Sequence, residues 1–72
     1  MSEENTIDEA IKVLNKLDRK IESKTQIANL LSTPEKPIGE RNIYNYLNGG
    51  AKPDYYRALY IIDRGNEILG EK

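Results

Sequence analysis

Prolines and glycines divide the middle of the chain, residues 24–53, into segments too short for one long helix. The segments read KTQIANLL, STPEKP and IGERNIYNYLNGGAKP. Pro34 and Pro37 each lack an amide donor and disfavour helical backbone in the residue before them. Gly49 and Gly50 favour a helix end, because glycine readily adopts the left-handed conformation that closes a helix. The sequence therefore predicts two short helices joined by a non-helical link.

The second of these helices, residues 40–48, has an apolar side and a polar side. Ile43, Tyr46 and Leu47 recur at i, i+3 and i+4 and so share one stripe. The opposite side carries no carboxylate and consists of Arg41, Tyr44, Asn45 and Asn48. Arg suits guanine edges and phosphates, Asn suits adenine edges, and Tyr stacks or donates to phosphate, as in a recognition helix of the major groove. A solvated face of an ordinary helix explains the same pattern.

The first of these helices, residues 24–31, is predicted to begin at a capping box formed by Ser23 and Gln26. The side chains predicted to face the core are Ile27, Leu30 and Leu31. Ala28 would let a neighbouring helix cross closely. The free amides of the first turn lie near Lys20 and Lys24, and a helix N-terminus beside lysines suits a phosphate group.

The segments TQIANLL and IGERNIYNYLNGGAKP together resemble the helix-turn-helix of lambda-repressor-like and Cro-like DNA-binding proteins. In those families a Gln near the start of the first helix precedes Ala and a Leu pair, and Lys-Pro opens the helix after the recognition helix. The resemblance implies a small all-α helix-turn-helix domain of four helices, with a fifth helix as the alternative.

The resemblance also implies which side chains contact DNA. Base contacts would be made by Arg41, Asn42, Tyr44 and Asn45. Phosphate contacts would be made by Lys24, Thr25 and Gln26 in the first motif helix, and by Lys52 before the helix that follows. Ala28, Ile43 and Leu47 would pack inside the motif.

The link between the two motif helices departs from the family pattern. Residues 32–37 replace a turn of about three or four residues and would re-aim the recognition helix. Lys36 in this link would either add a contact to the DNA backbone or belong to a surface insertion, which loops tolerate well.

An amphipathic helix precedes the motif. Thr6 and Glu9 have the spacing of a capping box, and residues 1–5 before them are expected to fray. The apolar residues that follow at helical intervals are Ile7, Ala10, Ile11, Leu14, Leu17 and Ile21. Val13 falls off this stripe, so the buried face is either broader or leaves Val13 outside.

A last helix follows the motif, with Pro53 in its first turn. The residues predicted to face the core are Tyr56 and Leu59, with Ile62 or Tyr60. Tyr55 and Arg57 are further candidate phosphate contacts, although a tyrosine here would equally pack beside the glycine turn. Gly65 is expected to weaken or end the helix and leave 66–72 as a tail. Ile68 and Leu69 in this tail either fold back or make a homodimer contact.

Charge is polarised along the chain. The formal net charge is −1, yet residues 24–57 hold five basic and three acidic side chains, whereas residues 1–23 hold four basic and six acidic ones. DNA affinity rests largely on neutralised phosphates, so a lone protomer is expected to bind weakly and with marked salt dependence.

Composition narrows the function classes. With 72 residues and neither His nor Cys, the chain is predicted to form one domain, 1–72, that is not an enzyme and holds no metal or cofactor. No apolar run approaches the length of a membrane span, no signal peptide is recognisable, and the absence of Cys fits the cytoplasm.

Two functional hypotheses remain. The first is a sequence-specific transcriptional regulator of phage-repressor or Cro type that binds double-stranded DNA, from a phage, a prophage or a chromosome. The second is a helix-turn-helix module that binds a protein, such as an antirepressor or an inhibitor of a larger regulator. Net acidity and the long link favour the second, and Tyr and Arg are common interface anchors.

Overall fold

The computed structural model of this protein describes residues 3–35 and 37–70. Four helices follow one another: α1 (Glu3–Ile21), α2 (Lys24–Leu31), α3 (Glu40–Asn48) and α4 (Tyr55–Leu69). The described residues contain no β-strand. The prediction of a small all-α chain with four helices is therefore confirmed for this part of the protein.

The ends of α2 and α3 lie where the sequence predicted them. Ser23 is the N-cap of α2, and its side chain accepts a hydrogen bond from the backbone N of Gln26. Gly49 closes α3 in the left-handed conformation, with a φ of 82°. Local chemistry is enough to set these ends, because a side-chain cap and a glycine act on residues only a few positions away.

The side chain of Ser32 connects the two ends of the link between α2 and α3. The hydroxyl group of Ser32 donates to the carbonyl O of Ile38 at 2.9 Å and accepts from its backbone N at 2.8 Å. Ile38 is itself buried, so the link contributes a residue to the core. Lys36 and its predicted backbone contact lie outside the described residues.

The core is built from all four helices. Its buried members are Ala10, Val13, Leu14, Leu17, Ile27, Ala28, Leu31, Ile38, Ile43, Tyr46, Ala58 and Ile61. Val13 is buried, so the broader alternative for the inner face of α1 holds. Leu30, predicted to face the core, is 37% exposed.

The start of α1 differs from the prediction. Helix α1 already includes Glu3, so Thr6 lies within α1 and is not its N-cap, and residues 3–5 are helical. Thr6 is buried at 7% exposure. The capping-box spacing of Thr6 and Glu9 therefore does not mark the start of the helix. Thr6 is instead a residue on the inner face of α1 that tertiary packing buries.

The predicted inner face of α4 was wrong for Tyr56 and Leu59, whereas the alternatives Tyr60 and Ile62 are both partly buried against the core. Tyr56 is 76% and Leu59 is 42% exposed, while Ala58 and Ile61 are buried in their place. Apolar residues occupy nearly every position from 55 to 62, so the sequence contains no single stripe that sets the helix phase. Pro53 lies one residue before the N-cap, which is Asp54, and so outside the first turn.

Gly65 does not end α4, which continues to Leu69 and closes at Gly70. Gly65 is buried, and a Cβ atom there would lie 2.2 Å from Cγ1 of Val13. The glycine therefore permits the close packing of α1 against α4, the most extensive helix pair of the fold. Ile68 and Leu69 belong to α4 rather than to a tail, and they pack against the core of their own chain.

Candidate nucleic-acid interface

The two sides of α3 differ in exposure, as the helical pattern predicted. Ile43 and Tyr46 are buried, at 0% and 6% exposure. On the opposite side Arg41 and Tyr44 are exposed, and Asn45 is partly buried. Asn42, the fourth predicted base contact, is also partly buried, and all four side chains belong to one short helix.

Polar groups at the C-terminal end of α3 form hydrogen bonds with the turn that follows the helix. The side-chain O of Asn48 accepts a hydrogen bond from the backbone N of Gly50 at 2.9 Å. The backbone N of Ala51 donates to the carbonyl O of Asn45 at 3.2 Å. Asn48 therefore serves the turn after α3, and the groups still available for another molecule are those of Arg41, Asn42, Tyr44 and Asn45.

Polar contacts join the first turns of α2 and α3. The hydroxyl group of Thr25 donates to a carboxylate O of Glu40. The Nζ atom of Lys24 lies 5.0 Å from the ring centroid of Tyr44, a cation–π distance. The same Nζ lies 3.2 Å from the Oδ1 atom of Asp18 in α1. Two predicted phosphate contacts are thus brought to α3, where each already has a partner in the chain.

Glu40 is also part of this surface, although it was not among the residues predicted from the sequence to contact DNA. Glu40 and Tyr44 are four residues apart, so they share a side of α3, and this spacing was a usable signal. The hydrogen bond to Thr25 could not be predicted from the sequence, since it joins residues 15 positions apart. The result is a carboxylate beside the N-terminus of α2, where a phosphate was predicted.

The remaining predicted phosphate contacts have different surroundings. Gln26 and Lys52 are exposed. The Nη1 atom of Arg57 donates to the phenol O of Tyr46 at 3.1 Å, which ties α4 to α3. Tyr55 is partly buried, with its ring edge-on to that of Tyr56 at 5.6 Å between centroids. Lys52 is thus better placed than Arg57 to bind an anion.

Two carboxylates lie close to the start of α4. Glu35 and Asp54 line a cleft together with Tyr56 and Arg57. The carboxylate of Asp54 also accepts the backbone N–H of Arg57 at 2.8 Å and so caps α4. These negative charges lower the affinity of the residues near the start of α4 for an anion such as phosphate.

No group of His, Cys, Asp or Glu side chains within residues 3–35 and 37–70 is arranged to hold a metal ion. In the same part of the chain, no helix combines the length and the apolar character needed to cross a bilayer. Comparison of the chain with protein-family models, curated proteins and solved structures found no match. Function is therefore inferred from the exposure and charge of α2 and α3.

Proposed function

We propose that this protein is a small sequence-specific DNA-binding regulator of the phage-repressor or Cro type, with α3 as its recognition helix. The observation that carries the proposal is the outer side of α3, where Arg41, Tyr44 and Asn45 lie opposite the buried Ile43 and Tyr46. These side chains provide hydrogen-bond donors, acceptors and a stacking ring on a helix whose other side packs into the core.

The dimensions of α3 suit the major groove. An α-helix with its side chains is about 10–12 Å in diameter, and the groove is about 12 Å wide and admits an α-helix. In this arrangement Arg41 reads a guanine edge and Asn45 an adenine edge. Tyr44 contacts a thymine methyl group or a phosphate.

The N-terminus of α2 supplies the phosphate contact in this proposal. Its first amides and the exposed Gln26 approach the DNA backbone, while Lys24 holds Tyr44 in place from the side. Lys52 supplies a second phosphate contact beyond the end of α3. With a net charge of −1, affinity stays low for one protomer and falls steeply with salt. A regulator of this type acts in the cytoplasm, on a phage, prophage or chromosomal operator.

The alternative function is a helix-turn-helix module that binds a protein partner. The carboxylate of Glu40, which lies beside the N-terminus of α2 in the predicted DNA surface, favours it, because a carboxylate repels phosphate. The exposed rings of Tyr44 and Tyr56 favour it as well, since tyrosine is enriched at interface hot spots.

Selection of duplexes from a random pool, followed by fluorescence anisotropy at low and physiological salt, separates these functions. We expect a preferred sequence, and weaker binding to it by Arg41→Ala and Asn45→Ala. Arg19→Ala, which removes an exposed charge from α1, is the matched control. A chain that selects no sequence and binds DNA at neither salt concentration contradicts the proposal and favours the protein partner.

A further inference from the structure

The last residue of α3 is an asparagine followed by two glycines. Of the seven asparagines in the chain, Asn48 alone precedes a glycine. Its side chain is exposed. The carboxamide carbon of an asparagine and the backbone N of the next residue can close a five-membered ring, and a side chain on that next residue would crowd the ring. Gly49 has none, so ring closure at Asn48 meets the least steric resistance in the chain.

The backbone N of Gly49 is not tied to the end of α3. The corresponding C-cap amides of the two other helices that follow a link each donate to a helical carbonyl, from Ser32 to Ala28 in α2 and from Gly70 to Glu67 in α4. No such bond from Gly49 is formed between the residues that the structure describes. Space around this residue is also open, since a Cβ atom on Gly49 would meet no atom within 4 Å.

The carboxamide of Asn48 is held against the turn. Its side-chain O accepts a hydrogen bond from the backbone N of Gly50 at 2.9 Å. This bond spans Gly49 and so directs the carboxamide towards the backbone N of Gly49 rather than into solvent. Holding two reacting groups close together raises the rate of their reaction. The N–H of Gly50 would also stabilise the negative charge that develops on the carboxamide O during an attack on its carbon.

We propose that Asn48 is a site of spontaneous deamidation in the folded protein. The backbone N of Gly49 loses its proton and bonds to Cγ of Asn48, the Cγ–Nδ2 bond breaks, and the amide nitrogen leaves as ammonia with that proton. Water then adds to either carbonyl carbon of the five-membered imide and breaks its bond to nitrogen, which gives aspartate or isoaspartate. Solvent water is the only co-reactant. The rate rises with pH, because the attacking nitrogen must lose its proton.

Both products place a new negative charge at the C-terminal end of α3. The helix dipole disfavours a negative charge there, and the charge repels phosphate. Isoaspartate in addition lengthens the backbone between α3 and Lys52. Since this consequence rests on the proposed function, it is tested separately from the reaction itself. A deamidated chain should bind every duplex less tightly, so that affinity for DNA falls as the protein ages.

Incubation of the folded chain for several days at mildly alkaline pH, followed by peptide mass mapping with isoaspartate detection, tests the reaction. We expect Asn48 to be converted before the other six asparagines. Asn15, whose side chain donates to the carbonyl O of Ile11 within α1, is the internal control. Asn48→Gln should stay intact at this position, because its longer side chain must close a six-membered ring. Conversion of another asparagine first overturns the proposal, as does an Asn48 that reacts only when the chain is unfolded in urea.

Anisotropy with Asn48→Asp and Asn48→Gln tests the consequence for DNA. We expect Asn48→Asp to bind both selected and random duplexes severalfold more weakly than Asn48→Gln, which keeps a neutral amide, and circular dichroism checks that both variants are folded. Equal affinities would overturn the link between deamidation and DNA binding. A chain that deamidates at Asn48 but binds no DNA with either side chain contradicts the proposed function alone, since the mass map then still supports the reaction.

Discussion

The hydroxyl group of Thr25 donates a hydrogen bond to the carboxylate of Glu40, and this bond joins the first turns of α2 and α3. Lys24 reinforces the junction through the ring of Tyr44. Both contacts orient α3 by polar groups on the surface, while Ile43 and Tyr46 anchor it from the core. The same contacts place one negative charge at the surface proposed to meet phosphate.

Replacing Glu40 with Gln should strengthen DNA binding severalfold for all sequences. The neutral amide still accepts a hydrogen bond from Thr25, but it no longer repels phosphate. Anisotropy at low salt measures the effect, and Glu4→Gln, an exposed change on α1, is the control. Weaker binding by Glu40→Gln than by the wild type would show that the carboxylate does not oppose DNA.

Arg41→Ala and Asn45→Ala should each weaken binding to the selected sequence by about 1–3 kcal/mol and relax specificity at one base position. Lys52→Ala should instead weaken binding to every duplex and reduce the salt slope by about 1, because it removes one phosphate contact. Titrations at several salt concentrations measure both quantities. Equal losses on specific and random DNA for Arg41→Ala would rule it out as a base-reading residue.

Tyr60→Phe should destabilise the fold by about 0.5–1.5 kcal/mol. The phenol of Tyr60 donates to the carbonyl O of Leu31 at 2.6 Å, and this carbonyl lies in the last turn of α2, where no helical amide follows. Urea denaturation monitored by circular dichroism measures the change. Tyr56→Phe is the matched control and should leave stability unchanged, since Tyr56 is 76% exposed. Equal stability of both variants would show that the Tyr60 bond contributes nothing.

Gly65→Ala should destabilise the protein although alanine is the better helix former. The gain in helix propensity is about 0.5–1 kcal/mol, whereas overpacking against Val13 costs about 1–3 kcal/mol, and the stiff branched side chain of Val13 cannot easily turn away. In a Val13→Ala background the same substitution should become neutral or stabilising. Urea denaturation of the four chains in this double-mutant cycle measures the coupling. The same loss in both backgrounds would mean that Val13 is not the obstacle.

The sequence predicted the features that depend on near neighbours. Ser23 starts α2, Gly49 ends α3, and the spacing of Ile43, Tyr46 and Leu47 separates the two sides of α3. Part of the candidate site follows from this spacing, because Arg41 and Tyr44 must then lie outside. These features could be predicted from the sequence because caps, turns and helical periodicity act over a few residues.

Other features were decided by the tertiary structure. The phase of α4 depends on which residues fit against α1, and the small Ala58 and Gly65 fit where Tyr56 and Leu59 do not. The roles of Glu40 and Arg57 depend on partners in other helices. A sequence pattern specifies which residues share a side of a helix, but burial and pairing are set by the surface that the rest of the chain brings against it.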